Sequence, residues 1–232
     1  MTQDEAKWLV AKRAVEFVKD GMVVGLGTGT TATDFIHELA ARNLNIRCVA
    51  SSDKSHDLAV SLGMHVETLV ELPELDLYID GADEVCVASG GLGAGAGLDL
   101  IKGGGGALLR EKIVASAAKE FIVVADSSKV VAMLGKFPLP VEVIQMALPL
   151  VQPKLAALGF TPKLRQAKNG PGPYVTDEGN YILDCWSTGI PEPESAAAEI
   201  RSIVGVVEHG LFLGMASRAL VAGEDGVKEL RS

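Results

Sequence analysis

Cysteine is scarce in this chain. Cys48, Cys86 and Cys185 are the only three among 232 residues, and none belongs to a C-x-x-C pair. That excludes a zinc-ligand pattern and a disulfide framework, and it fits a reduced, cytoplasmic compartment. Basic runs are missing as well. Twenty-one Lys and Arg against 30 Asp and Glu leave a net charge of −9, and the average field of such a chain repels polyanions. Neither nucleic acid nor an anionic membrane is therefore expected as a partner, although a small phosphorylated ligand held by backbone N–H groups and a few lysines stays compatible. No apolar run reaches the roughly 18 residues of a membrane span. The opening MTQDEAKWLV is mixed and charged, so no signal peptide is expected. Proline is nearly absent from the first half: only Pro73 precedes residue 138, and the other nine fall between 138 and 193.

That shift in proline marks a boundary near residue 130. Before it, short apolar runs alternate with helical patterns. Thr2 and Glu5 have the spacing of a capping box for a helix with Ala6, Leu9, Val10, Ala14, Phe17 and Val18 on one face, ended at Gly21. MVVGLG, IRCVA, LDLYID and FIVVAD read as buried strands, with helices around 31–42, 54–62 and 107–119 between them. Continuous apolar strands separated by helices mean a parallel sheet covered on both faces. Beyond the boundary, LPVEVI, a helix over 148–158, a hairpin YVTDEGNYILDCW turning at Glu178–Asn180, a helix after PEPES and a strand VVEHGLF follow each other. That order is ferredoxin-like. The expected fold is α/β: a Rossmann-like parallel-sheet domain over 1–130, to which 212–232 return through the strand ALVAG, and a smaller ferredoxin-like α+β domain over 131–211.

Five polar clusters follow strand ends, where parallel sheets bind ligands. GLGTGTTATDF satisfies G-x-G-x-x-A at Gly27, Gly29 and Ala32. A dinucleotide turn needs an acid about 20 residues on, and Asp53 comes a little late. The rival readings are a phosphate cradle made by Thr28, Thr30, Thr31 and the helix N-terminus, and a plain tight turn. In ASSDKSHDLA, Ser51, Ser52 and Asp53 open a helix and read best as a cap, with a ligand contact from Ser51 or Lys54 second. YIDGADEV ends a strand in Asp80, Asp83 and Glu84. One aspartate there would be an Asx-turn; two in a D-G-A-D turn favour a site in which one carboxyl takes protons while the other stays ionised. A divalent metal is the competing use, though no histidine accompanies the pair. In IKGGGGALLREKIVA, four glycines between Lys102 and a helix expose N–H groups to an anion. Glu111 lies one to two turns into that helix, where pairing with a nearby lysine is its ordinary role. In VADSSKVV, Asp126 and Lys129 follow the next strand.

In this order, GLGTGTTA, SSDKS, YIDGADEV, KGGGGALLREKI, FIVVADSSK and LGKFPLPVEVI resemble the type A ribose-5-phosphate isomerases, nearly end to end. The resemblance implies interconversion of ribose 5-phosphate and ribulose 5-phosphate in the pentose phosphate pathway, without metal or cofactor, by a homodimer or homotetramer. It assigns the substrate loop to Thr28, Gly29, Thr30 and Thr31, and the aspartate turn to Asp80, Gly81, Ala82 and Asp83. The lysine–glycine loop falls on Lys102, Gly103, Gly104 and Gly105, the proton-accepting carboxylate on Glu111, and a further binding lysine on Lys129. Asp80, Asp83, Lys102 and Glu111 are thus the expected catalytic groups. The link between the D-G-A-D-E and lysine–glycine blocks is longer and richer in glycine than in relatives, over about 86–99, and a lid is one expectation for it. A nicotinamide-dependent oxidoreductase and a non-catalytic sugar-phosphate sensor are the readings from other classes.

Overall fold

The computed structural model describes residues 1–87 and 97–231. Most of the glycine-rich insertion, and with it the expected lid, lies outside the described residues. In chain order the elements of the first part are α1 (Gln3–Ala14), β1 (Val23–Leu26), α2 (Thr30–Ala41), β2 (Arg47–Ala50), α3 (Asp53–Ser61), β3 (Val66–Glu67), β4 (Leu77–Gly81), β5 (Glu84–Val87), β6 (Leu98–Ile101), α4 (Leu108–Ala117) and β7 (Phe121–Asp126). The second part contributes β8 (Leu139–Val143), α5 (Leu148–Ala157), β9 (Thr161–Leu164), β10 (Tyr181–Trp186), α6 (Pro193–Arg201), β11 (Val206–His209), β12 (Leu211–Ala216), β13 (Arg218–Gly223) and β14 (Gly226–Arg231).

The main sheet has seven strands in the order β14-β13-β7-β4-β1-β2-β3. All its pairings are parallel except β13 with β14. Its strands are apolar without alternation because both faces are covered. Along β7, Phe121, Val123 and Ala125 enter the core beneath α4, while Ile122 and Val124 enter the core beneath α1 and α2. Thr2 and Glu5 close the capping box on α1, and Phe35, Ile36 and Leu39 of α2 are buried, as the patterns require. ALVAG, within β13, does return to this sheet, beside β7.

The second layer is four-stranded and antiparallel, in the order β11-β8-β10-β9. That is the strand order of a ferredoxin-like unit, packed around Val141, Val151, Leu155, Leu183 and Ile200. The hairpin expected over YVTDEGNYILDCW does not form as such. Residues 174–176 are not strand, and β10 pairs with β8 and β9 instead. Pro171 and Pro173 remove ladder donors just ahead. Thr176 and Asn180 also turn their side chains onto Glu142, at 2.9 and 3.0 Å.

VVEHGLF is likewise not one strand. It breaks at Gly210 into β11 and β12, which belong to different sheets. Lys102 N–H donates to Gly210 O at 2.9 Å, and a Cβ on Gly210 would lie 2.2 Å from Lys102 O, so only glycine lets the segments cross this closely. The third sheet, β12-β6-β5, had no signal in the sequence. It places the chain just past Asp80 in a new sheet, and the antiparallel register pairs Glu84 with Ile101.

The Tyr78 and Phe121 rings meet at 4.8 Å beneath the site, both essentially buried. Phe121→Ala is expected to cost about 3–5 kcal/mol, read as a lowered urea midpoint at unchanged slope.

Candidate active site

The clusters that follow β1, β4 and β7 converge with the lysine–glycine loop on one cavity of about 160 Å³. Thr28, Gly29, Thr30, Thr31, Gly81, Ala82, Asp83, Lys102, Gly103, Gly104, Gly105, Glu111 and Lys129 all line it. Of the residues that the family resemblance assigns to the site, Asp80 alone does not. It sits directly behind the lining and is fully buried.

Asp80 has no acceptor capacity to spare. Oδ1 accepts from Thr28 N–H at 2.9 Å and Gly81 N–H at 2.7 Å. Oδ2 accepts from Tyr78 O–H at 2.5 Å and Lys102 Nζ at 2.8 Å. Gly27 makes room for this carboxylate, since a Cβ there would stand 2.2 Å from Oδ1. Lys102, 2% exposed, also donates to Gly81 O at 2.5 Å and lies 3.4 Å from Glu111 Oε2. Burial works against its ammonium, but Asp80, Glu111 and Asp83 outweigh that and hold its pKa above the ordinary value.

Glu111 stands in the first turn of α4 and is 2% exposed. A helix N-terminus favours an ionised carboxylate. Here burial dominates: with the like charges of Asp80 and Asp83 it overcomes Lys102 and pushes the pKa up to about 8. Glu111 Oε2 has no aligned hydrogen-bond donor among the described residues. A buried carboxyl with one oxygen lacking an aligned donor, beside an ammonium already committed to Asp80, is a candidate for proton exchange. Asp83 Oδ2 accepts from Gly104 N–H at 2.7 Å, and burial raises its pKa as well. A Cβ on Gly104 would come within 2.6 Å of that carboxylate, which explains glycine there.

Thr28 does less than its motif suggests. Its Oγ1 lies 2.9 Å from both Ser51 Oγ and Ser52 Oγ, so the hydroxyl ties β1 to the start of α3. Ser51 is fully buried in this cluster, and Ser52 caps α3. Thr30 and Thr31 open α2 at the cavity's edge. Asp126 accepts from Ser128 N–H at 3.0 Å and Gln3 Nε2 at 3.2 Å, a turn cap rather than a free ligand. Among the polar lining residues, two were missed from the sequence: Gln3 and Lys7, on α1. Nothing in an amphipathic N-terminal helix marks them, because only the packing of α1 over the strand ends brings them in.

The rival uses fare poorly. Asp53, the acid a dinucleotide turn would need, pairs with Arg110 at 2.6 Å and lies outside the cavity lining. Asp80 is already neutralised by the ammonium of Lys102, 2.8 Å away. No group of three or more metal-ligating side chains occurs among the described residues.

The sequence model of the family described as ribose 5-phosphate isomerase A (phosphoriboisomerase A) matches residues 47–226. A ribose-5-phosphate isomerase A of Synechococcus sp. (strain JA-3-3Ab) is 47% identical, covering 98% of this chain and 97% of its own. Its counterpart in Roseiflexus sp. (strain RS-1) is 50% identical over 96% and 94%. The solved ribose 5-phosphate isomerase A of Methanocaldococcus jannaschii superposes with a TM-score of 0.92 at 41% identity, covering both chains fully. A D-ribose-5-phosphate isomerase solved in complex with phospho-erythronic acid superposes at 0.93 with 36% identity, again over both whole chains. A buried lysine held between Asp80 at the end of a parallel strand and Glu111 in the first turn of a helix, in a chain matched along its length by these relatives, makes this protein a member of the ribose 5-phosphate isomerase A family.

Proposed function

We propose that the chain interconverts D-ribose 5-phosphate and D-ribulose 5-phosphate, moving one proton between C2 and C1 through an enediolate. The observation that carries the chemistry is the proximity of Glu111 and Lys102, 3.4 Å apart and both buried at the floor of the cavity. A carboxylate can take a proton beside a carbonyl only if the charge developing on oxygen is met by preorganised donors, each typically worth about 3–4 kcal/mol. In this reading Glu111 carries the proton, while Lys102 and the N–H groups of Gly103 and Gly105 meet the oxyanion, that of Gly104 being held by Asp83. Asp80 holds Lys102 charged and aimed. Asp83 handles hydroxyl protons, including those of ring opening. The phosphate anchors at the start of α2, on Gly29, Thr30 and Thr31, with Lys7 and Lys129 supplying positive charge; Thr28 serves through its backbone. Neither metal nor cofactor enters the scheme. A homodimeric or homotetrameric assembly, a cytoplasmic location and a place in the pentose phosphate pathway belong to the same reading and rest on the family resemblance.

Glu111→Gln is expected to lower kcat by about 10²–10⁴ in a coupled assay for ribulose 5-phosphate, with KM little changed. A variant retaining substantial turnover would remove Glu111 as the base. Because the base must be ionised, kcat/KM of the parent should climb with pH through an inflection near about 8, and a chelator should leave turnover unaltered.

The same pKa has a stability consequence of defined sign. Below the ordinary glutamate value of 4.5, Glu111 is protonated in both the folded and unfolded chains. As pH rises towards about 8, the unfolded chain ionises while the folded one keeps its proton, so the group's contribution to stability falls. Urea midpoints at pH 5 and pH 8 should therefore converge between parent and Glu111→Gln, or invert in the variant's favour, as pH increases. An identical pH response in both proteins would contradict the raised pKa.

A further inference from the structure

We propose that Arg165, held by Asp184, is a positioning residue that fixes the peptide groups of the glycine loop so that their N–H groups serve Asp83 and the substrate's oxyanion. This rests on the isomerase reading above. Arg165 follows β9, in the four-stranded layer, and does not line the cavity. Its Nε and Nη2 donate to Asp184 at 3.0 and 2.5 Å, a bidentate pair that leaves the guanidinium one orientation. Nη1 then donates to Gly103 O at 2.9 Å and Gly104 O at 3.3 Å.

A trans peptide points its N–H opposite to its C=O. Capturing Gly103 O from behind therefore directs Gly104 N–H forward, where it donates to Asp83. Capturing Gly104 O likewise turns Gly105 N–H towards the cavity that Gly105 lines. A cation on the carbonyl side also polarises each peptide and strengthens the donor on its far side. Glycine needs such a restraint because it has the largest choice of backbone conformation. Tyr174 completes the backing: Arg165 lies 5.9 Å over its ring, and a Cβ on Gly106 would strike its hydroxyl at 2.2 Å. Lysine cannot replace this arrangement, since an ammonium lacks the planar fork that holds a carboxylate and two carbonyls together.

The test compares the parent with Arg165→Met, Arg165→Lys and Asp184→Asn. Arg165→Met should lose kcat by about 10-fold to 10²-fold, as small displacements of aligned groups do. KM should move far less, and Arg165→Lys should recover only part of the loss. A phosphorylated four-carbon aldonate, whose carboxylate imitates the enediolate, should bind the variant about 10-fold or more weakly, while inhibition by inorganic phosphate stays unchanged. A role confined to stability would move both inhibitors together or neither, and either result overturns the inference. So does a folded Arg165→Met with parental kcat. If that variant does not fold, Asp184→Asn, which unlocks the guanidinium without removing it, decides by the same readings. A parent without isomerase turnover would defeat the proposed function instead. The inference would then be settled by the Gly104 amide of ¹⁵N-labelled protein: an unshifted resonance with equal exchange protection in the Arg165 variants overturns it, and a displaced, faster-exchanging one upholds it.

Discussion

The buried contact between Lys102 and Asp80 is the constraint on which the site depends. A single ion pair out of water repays its desolvation only when its remaining lone pairs and protons are matched. Here they are. Asp80 receives four donors, from Tyr78, Gly81, Thr28 and Lys102, and Lys102 gives a further bond to Gly81 O. With that ammonium fixed and committed, Glu111 is left buried near it without an aligned donor, which keeps its carboxyl close to the protonation boundary.

Three sheets are needed to make that contact. Asp80 ends a strand of the main sheet, and the chain then passes through Gly81–Asp83 into β5 of another sheet. There Asp83 N–H donates to Ile101 O at 2.8 Å, so Lys102, the next residue, arrives beside the aspartate turn. The four-stranded layer supplies Arg165 behind the glycine loop. The other face of Lys102 is closed by Gly210, where the chain crosses between the second and third sheets. The three acidic groups at this strand end have separate partners. One aspartate holds a lysine, the second faces the cavity, and Glu84 accepts the backbone N–H groups of Gly135 and Phe137 to hold the neighbouring loop.

Much of this was legible because it is local. Unalternated apolar runs such as FIVVAD state that both faces of a strand are covered, and the Thr2–Glu5 spacing states where α1 begins. The motif blocks located nearly every residue that lines the cavity. Less legible was the division of labour within them. Asp80 and Asp83 look equivalent in sequence, yet one is saturated behind the wall and the other forms part of it. Thr28 looks like its neighbours Thr30 and Thr31, yet its hydroxyl is spent on serines 23 and 24 residues away. The break of VVEHGLF at Gly210 and the loss of the expected hairpin have the same origin, since which strand pairs with which is decided by partners distant in the chain.

The sequence by itself determined the alternation of strands and helices, the ferredoxin-like order of the second layer, and most of the groups that line the cavity. Those follow from periodicity, turn residues and side-chain type, which act over a few neighbouring positions. The tertiary structure alone decided that Lys7 and Gln3 reach the cavity, that Asp80 faces inward, that Glu111 loses water and so gains basicity, and that Arg165 stands behind the glycine loop. Burial and long-range hydrogen bonding depend on the whole packed chain, and no local pattern encodes them.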